Sequence, residues 1–193
     1  MAALPRTDRP GDDGDRAVLL HGIGQTRWNM YFVARALRRE DFVVTSISYP
    51  SLRHSIAALA DFLEKRLDDA GVWRQPGRVH FVTHSMGGLL VRHFLETRRE
   101  RIPVEKLGRV VMLGPPNGGS EVADFLRNFL PYKWFYGPAG QELSTAVRRR
   151  DKTKPYYDLG IIAGTRGWPY IIASLLIPGP HDGRVAVAHT KLA

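Results

Sequence analysis

The chain has 193 residues, of which 44% are hydrophobic and 24% are charged, and its formal net charge at pH 7 is +9. Such a length and composition are typical of one soluble globular domain. The lack of cysteine excludes disulfide scaffolds, cysteine-ligated zinc and thiol catalysis. The positive charge is only a weak indication of a nucleic-acid ligand, because the arginines interleave with acidic residues and accompany no nucleic-acid-binding motif. We therefore expect a solvated basic surface and no nucleic-acid partner.

The N-terminal residues 1–15 have no apolar run, contain two prolines and four aspartates, and so do not resemble a secretion signal. We expect a disordered tail there and a cytoplasmic protein. The longest late apolar run, YIIASLLIP at 170–178, is far shorter than the roughly 20 residues that a membrane-spanning helix needs. We expect no transmembrane segment, while transient contact with a membrane surface stays open.

Short apolar runs rich in β-branched residues alternate with helical patterns along the chain. The apolar runs predict buried strands, and repeats of apolar residues at helical spacing predict helices. The predicted strands are 16–22, 41–49, 78–84, 109–114 and 159–164, with 183–189 as a further one. The predicted helices are 28–40, 56–67 and 86–99, and Gly71 is the expected stop after the second. This alternation predicts an α/β fold with a doubly wound, mostly parallel sheet of about six strands.

We expect residues 16–193 to form a single domain, because neither internal repeats nor linker-like segments interrupt them. The segment 121–180 departs from the strict alternation and includes FLPYKWFYGPAG at 129–140, which is aromatic and rich in turn residues. A lid or substrate-lining insertion above the carboxyl edge of the sheet would have this composition. An ordinary surface connection would have it too.

The sequence VHFVTHSMGGLL at 79–90 places a serine between a predicted strand and a predicted helix. This is the setting of the G-x-S-x-G nucleophile elbow, in which a sharp turn projects the serine hydroxyl above the sheet. Ser85 is therefore the candidate nucleophile, and the backbone N–H of Met86 at the helix N-terminus is a candidate oxyanion donor. Thr83 stands where the motif has its first glycine, which weakens the pattern. The alternative is a serine that only caps the helix.

A second glycine-rich turn follows the first predicted strand, where the sequence reads LLHGIGQT at 19–26. Acyl-transfer sites need a second oxyanion donor, and a turn after an early strand can bring the N–H of Ile23 toward the nucleophile. The alternative is a tight turn that uses the conformational freedom of glycine. The His, Asp and Glu residues have no metal-ligand spacing, so we expect no metal site.

Four motifs in this order, HGIG, THSMGG, LGPPNGGSEVAD and GPHDGRV, resemble the α/β-hydrolase superfamily. The resemblance is nearest to its bacterial lipase and esterase branch, which includes relatives of the GPI inositol-deacylase type, and it covers residues 17–190. It implies a serine hydrolase that acts on carboxylic esters through an acyl-enzyme and uses no cofactor. The apolar stretches YKWFYG and YIIASLLI favour a small-molecule or lipid ester as the substrate.

The resemblance also implies a triad acid, because such lipases carry it in an Asp-Gly pair after a late strand, which here is Asp182. A simple turn is the competing interpretation of that pair, with Asp158 and Asp124 as alternative acids. The base is the least defined member, because the family's histidine normally lies farther beyond the acid than His189, the one histidine that follows Asp182.

The base is therefore either His189 or a histidine outside these 193 residues, and we expect the chain to be a fragment or a shortened relative. A chain that lacks the base would be a poor hydrolase, because a serine hydroxyl is a weak nucleophile without one. A protein of this fold that binds a ligand or partner without catalysis is the alternative function. Neither the acyl-chain preference nor the oligomeric state follows from the sequence.

Overall fold

In the computed structural model, the described residues are 14–117, 154–165 and 190. These residues contain five strands, all of whose neighbours are parallel. The strands are β1 Arg16–Leu20, β2 Val43–Ile47, β3 Val79–His84, β4 Leu107–Leu113 and β5 Leu159–Ile162. The predicted α/β class with a parallel sheet is therefore confirmed, and each strand predicted within the described residues is present.

The strand predicted at 183–189 lies outside the described residues, and so does the segment 121–180 except for residues 154–165, which contain β5. The predicted tail over 1–15 lies outside them too, except for Gly14 and Asp15. The Asp15 carboxylate accepts a hydrogen bond of 2.8 Å from the Arg78 N–H, which ties the start of β1 to the start of β3.

Helices cover both faces of the sheet, as its doubly wound pattern requires. A 3-10 turn, Arg27–Met30, leads into α1, Tyr31–Arg39, and α1 packs on one face. The other face is covered by α2, Ile56–Asp69, and α3, Met86–Thr97. The five apolar side chains of α2 that repeat at helical spacing are its buried residues, and they are Ile56, Leu59, Ala60, Leu63 and Leu67. Gly71, with a φ of 60°, follows the end of α2 as predicted.

The strand order β2-β1-β3-β4-β5 fixes where a ligand can enter. The chain leaves β1 toward β2 on one side and returns to β3 on the other, so β1 and β3 flank the point where the winding direction reverses. In open α/β sheets the crevice outside the carboxyl ends of these two strands is the usual binding site. Leu20 pairs with Thr83 in register, so both strands end at the same level. The segments after Leu20 and after Thr83 therefore border this crevice.

A single residue, Ser85, connects β3 to α3. Its φ of 51° and ψ of −123° lie in a region that side-chain-bearing residues rarely occupy, and Asp41 is the other non-glycine residue with positive φ among those described. The Ser85 N–H donates to the Leu113 carbonyl of β4 at 2.8 Å, which anchors the turn to the sheet. Backbone conformations of this kind cost about 1–3 kcal/mol and persist where the surrounding structure imposes them.

The start of α3 lies against the end of β1 so closely that only glycine fits. A methyl group on Gly87 would lie 2.8 Å from the His21 carbonyl oxygen and 2.9 Å from that of Leu20. These are backbone atoms of the sheet, which cannot rotate away as a flexible side chain can. The glycine at this position therefore sets how closely the helix N-terminus approaches the carboxyl end of β1.

We expect Gly87→Ala to destabilise the protein by about 2 kcal/mol or more, because the added methyl group forces α3 away from β1. The matched control is Gly160→Ala in β5, where a methyl group would meet nothing closer than a Val111 methyl at 3.8 Å. Urea denaturation should place the control within about 0.5 kcal/mol of the wild type. Equal losses in the two variants would contradict the packing described for α3.

The strain at Ser85 predicts an inverted preference between glycine and alanine. At an ordinary strand or helix position, a variant with glycine is less stable than one with alanine by about 0.5–1 kcal/mol. At a positive φ, glycine relieves the backbone strain that alanine keeps. We expect Ser85→Gly to be more stable than Ser85→Ala by about 1 kcal/mol. The same pair of substitutions at Ser46, an extended residue of β2, should show the ordinary order in urea denaturation. The ordinary order at both positions would mean that the turn is unstrained.

Candidate active site

The glycine-rich turn after β1 lies directly against the residue that follows β3. A methyl group on Gly22 would lie 3.2 Å from the Ser85 Cβ and 3.0 Å from the His84 Nδ1. Both contacts are tighter than those of most side chains, so a larger residue at position 22 would require His84 or Ser85 to shift by a few tenths of an ångström. The fold thus brings together the two segments that the sequence singled out.

The Ser85 side chain is half-buried at the N-terminus of α3 and forms no capping hydrogen bond with the helix. Its backbone carbonyl accepts the Gly88 N–H at 2.9 Å, so the residue starts the helix through its main chain alone. This geometry argues against the interpretation of Ser85 as a side-chain N-cap. A hydroxyl at this position, beside a helix N-terminus, is suited to attack an electrophile in the crevice.

Within the turn at 22–25, hydrogen bonds hold three of the four backbone N–H groups. The Gly22 N–H donates to the Gln25 Oε1 at 3.0 Å, the Gly24 N–H donates to the Ser51 Oγ at 3.0 Å, and the Gln25 N–H donates to the Gly22 carbonyl at 3.3 Å. Gly24 has a φ of 67°, which the turn requires. Among the described hydrogen bonds of this turn, none uses the Ile23 N–H, which is the predicted oxyanion donor.

Met86, the other predicted oxyanion donor, is the first residue of α3 and is fully buried. The first N–H groups of a helix have no acceptor within the helix, so the Met86 N–H is suited to bind a negatively charged oxygen. An oxyanion beside Ser85 would accept hydrogen bonds from the N–H groups of Met86 and Ile23, as acyl transfer requires. The assignment of both donors stays a prediction.

His21 holds the glycine-rich turn at 22–25 in place, and both of its ring nitrogens are used in hydrogen bonds. Its ring stacks on that of Tyr49 with centroids 4.2 Å apart, and its Nε2 accepts the Tyr49 N–H at 3.3 Å. The proton therefore lies on Nδ1, which donates to the Gly22 carbonyl at 2.8 Å. Burial lowers the pKa of His21, so the imidazole is neutral near pH 7.

Tyr49 completes this support. Its hydroxyl donates to the His21 carbonyl, and burial raises the pKa of the phenol well above its usual value, so the donor keeps its proton. His21 and Tyr49 therefore hold both carbonyl groups at the start of the turn, those of His21 and Gly22. The turn is fixed before any substrate arrives.

Gln25 is a residue that the sequence did not mark as functional. Its Oε1 accepts the Gly22 N–H and lies 3.0 Å from the His84 Nδ1, so one side chain connects the turn to the residue preceding Ser85. A glutamine after a glycine-rich turn carries no periodic signal, and its contact with His84 spans 59 positions of sequence. The structure was needed to find it.

Of the four remaining acid and base candidates, Asp182, Asp124 and His189 lie outside the described residues. The fourth, Asp158, is exposed and precedes β5. It lies four positions before Ile162, the last residue of β5, which corresponds to about 13 Å. Asp158 therefore lies toward the opposite edge of the sheet from Ser85, which argues against it as the acid.

Thr190 connects the end of the described chain to the carboxyl side of the sheet. Thr190 is buried, and its carbonyl accepts a hydrogen bond of 2.8 Å from the Asn117 Nδ2, four residues beyond the end of β4. Because β4 lies next to β3, residue 190 is on the same edge of the sheet as Ser85.

Among residues 14–117, 154–165 and 190, no three His, Cys, Asp or Glu side chains lie together in a group that could hold a metal ion. Within the same residues, every helix is too short or too polar to cross a membrane.

Solved structures with similar folds include two bacterial lipolytic enzymes. The mature form of the Bacillus licheniformis lipase BlEst2 aligns with a TM-score of 0.73 and 18% identity, covering 97% of this chain and 83% of that one. Phospholipase PlaB from Legionella pneumophila aligns with a TM-score of 0.73 and 21% identity, covering 91% of this chain and 45% of that one. At these identities the likeness establishes the shared fold.

Sequence comparison adds a curated relative and a family. A probable esterase, PIR7A, from Oryza sativa subsp. indica is 28% identical over 127 residues, which are 62% of this chain and 46% of that protein. The chain thus spans less than half the length of this relative. The model of the alpha/beta hydrolase family matches residues 17–188, which is most of the chain. The strand order, the turn at Ser85 and this match agree, and the protein belongs to the alpha/beta hydrolase family.

Proposed function

We propose that the protein is a carboxylic ester hydrolase of the esterase or lipase type, in which Ser85 is the nucleophile. The observation that carries the proposal is the contact between the Gly22 turn and Ser85 at the carboxyl ends of β1 and β3. Ligand binding alone does not require a strained serine whose side chain leaves the helix uncapped. An acyl-transfer enzyme needs each of these features.

In the proposed reaction the Ser85 Oγ attacks the ester carbonyl while a histidine takes its proton. The Ile23 and Met86 N–H groups stabilise the negatively charged oxygen of the tetrahedral intermediate. The histidine then protonates the leaving alcohol, and the acyl group remains on Ser85. Water, activated by the same histidine, attacks the acyl-enzyme and releases the carboxylic acid. No cofactor enters these steps.

Asp182 is the proposed acid, which orients the histidine and stabilises its protonated form. The proposed base is His189 or a histidine outside these residues. The hydrogen bond from Asn117 to the carbonyl of Thr190 supports testing His189 first, because it places the following residue at the correct edge of the sheet. Small-molecule or lipid esters are the proposed substrates, in keeping with the similarity to a probable esterase and to a lipase. The finer placement among relatives of the GPI inositol-deacylase type rests on the sequence motifs.

We expect a fluorophosphonate probe to label the protein at Ser85, because the elbow presents that hydroxyl at the crevice. Ser85→Ala should abolish labelling and turnover of short p-nitrophenyl esters. The matched control is Thr97→Ala, which removes an exposed hydroxyl at the opposite end of α3 from Ser85 and should keep both activities. Labelling that persists in Ser85→Ala would overturn the nucleophile assignment.

Two further variants in the same assay define the rest of the triad. Asp182→Asn should lower kcat by about ten-thousandfold if Asp182 orients the base. His189→Ala should lower kcat at least as far if His189 is the base, and unchanged turnover would assign the base to another histidine. Failure of the wild-type protein to react with either the probe or the esters would favour the non-catalytic binding function.

Gln25 predicts a separate effect on rate. We expect Gln25→Ala to lower kcat by about tenfold to a hundredfold with little change in KM, because the turn that carries the Ile23 N–H loses its connection to His84. The rate of probe labelling should fall in parallel, whereas the urea midpoint should change little. The matched control is Gln75→Ala, on a loop before β3. A loss of stability without a change in kcat would make Gln25 a structural residue only.

A further inference from the structure

Large aromatic side chains are exposed together at the start of α1. Trp28 is 69% exposed, Tyr31 is 44% exposed and Phe32 is 79% exposed. Among the described residues, five large hydrophobic side chains are exposed, and three of them fall within these five positions. Single exposed apolar residues are common on protein surfaces, but a contiguous group marks a surface that another molecule covers.

Arginines continue this surface along α1. Arg35, Arg38 and Arg39 are exposed, and positions 28, 32, 35 and 39 follow the spacing that places residues on one side of a helix. We call Trp28, Tyr31, Phe32, Arg35, Arg38 and Arg39 the α1 face. Its aromatic end and its cationic end are adjacent, and acidic residues, Glu40 and Asp41, follow only after the helix ends.

The α1 face begins at the same edge of the sheet as the candidate active site. The Arg27 N–H donates to the Ser48 Oγ at 3.1 Å, and Ser48 directly follows β2 at its carboxyl end. The turn that contacts Ser85 ends at Gln25, three residues before Trp28. A surface bound to the aromatic end of the α1 face would therefore lie beside the opening of the crevice.

A groove in this region combines cationic and aromatic walls. Its volume is about 290 Å³, and its lining residues are Arg27, Trp28, Tyr31, Ala34, Arg38 and Ser46. The Arg27 guanidinium also lies 5.4 Å from the centre of the Trp28 ring. Guanidinium groups bind phosphate oxygens in a bidentate manner, and tryptophan and tyrosine favour the boundary between headgroups and acyl chains.

We propose that the α1 face docks the protein on a bilayer that contains anionic phospholipids. The aromatic rings enter the boundary between headgroups and acyl chains, and the arginines contact lipid phosphates. The net charge of +9 adds a long-range attraction to such a surface. A second copy of the chain is a poorer partner, because two chains that each carry a net charge of +9 repel one another.

Docking in this way goes beyond the proposed ester hydrolysis and does not depend on it. It would place the crevice near the lipid surface and so favour substrates held in the bilayer. Because binding needs no nucleophile, Ser85→Ala should bind vesicles as the wild type does. A failure of ester hydrolysis therefore leaves the docking proposal intact, and a failure of vesicle binding leaves the hydrolase proposal intact.

Vesicle cosedimentation of the full chain tests the proposal. We expect binding to phosphatidylcholine vesicles that contain about one quarter phosphatidylglycerol, much weaker binding to pure phosphatidylcholine, and a decrease with added salt. Trp28→Ala/Phe32→Ala should lower the partition coefficient at least about tenfold. Arg35→Gln/Arg38→Gln should lower it by up to about fivefold per arginine. Circular dichroism and urea denaturation confirm that each variant is folded.

Matched controls remove the same kinds of side chain from other surfaces. Val104→Ala removes an exposed apolar side chain, and Lys65→Gln/Arg66→Gln removes two exposed cations from α2 on the opposite face of the sheet. Both controls should bind within about twofold of the wild type. Equal losses in the controls and the α1-face variants would mean that binding does not depend on where these side chains lie, and would overturn the proposal.

Absence of vesicle binding by the folded wild type would overturn the proposal as well. Size-exclusion chromatography over a range of concentrations tests the alternative, in which a second copy of the chain covers the α1 face. A dimer that dissociates in Trp28→Ala/Phe32→Ala, in a protein that does not bind vesicles, would assign the α1 face to self-association.

Discussion

The contact between Gly22 and Ser85 is the constraint on which the rest of the site depends. Two segments that leave the sheet at the same level meet here most closely where one has no side chain, because a methyl group on Gly22 would lie 3.2 Å from the Ser85 Cβ. The close packing of Gly87 on the carbonyls of Leu20 and His21 has the same effect from the other side. Glycine at both positions thus lets Ser85, the glycine-rich turn and the start of α3 lie close together, as the predicted oxyanion site would require.

Polar groups at the amino ends of the strands are bonded differently from those at the carboxyl ends. At the amino edge, the Asp15 carboxylate accepts the Arg78 N–H and pairs with His80, whose Nδ1 accepts the Arg109 N–H at 3.0 Å. The hydrogen bond from Arg78 is the main reason that the pKa of Asp15 is lowered. At the carboxyl edge, no described hydrogen bond of the turn uses the Ile23 N–H. The polar groups at the amino ends of the strands are therefore satisfied within the fold, whereas at the carboxyl ends the Ile23 N–H stays the predicted donor to a ligand.

The fold was predictable from the sequence because buried parallel strands are recognisable as apolar runs and the glycines mark the turns that connect them. The errors at the element ends have physical causes. The predicted strand began at Arg109, after Gly108, whereas β4 starts at Leu107. Gly108 does not end the strand; it lies within it, where the backbone passes close to the His80 ring and a methyl group would lie 2.6 Å from that ring. The chain before α1 forms a 3-10 turn, closed by the hydrogen bond from Asn29 N–H to the Thr26 carbonyl at 3.0 Å, where a continuous helix was predicted.

The candidate site was predictable only in the parts that local sequence encodes. Ser85 and the glycine turn are short motifs, and a strand–turn–helix pattern locates them. Gln25 and Tyr49 act through side-chain contacts with residues far along the chain, which no local pattern contains.

The exposure of the aromatic residues at the start of α1 could not be predicted from the sequence either, because Trp28, Tyr31 and Phe32 fit the apolar spacing of a helix that packs on a sheet. Met30 of the 3-10 turn and Ala34 of α1 are the buried residues of this segment, and its larger aromatic side chains are exposed. One helix therefore joins the turn that borders the crevice to a surface suited to a lipid headgroup layer, so an ester bond presented at that surface would be close to the serine that the fold holds under strain.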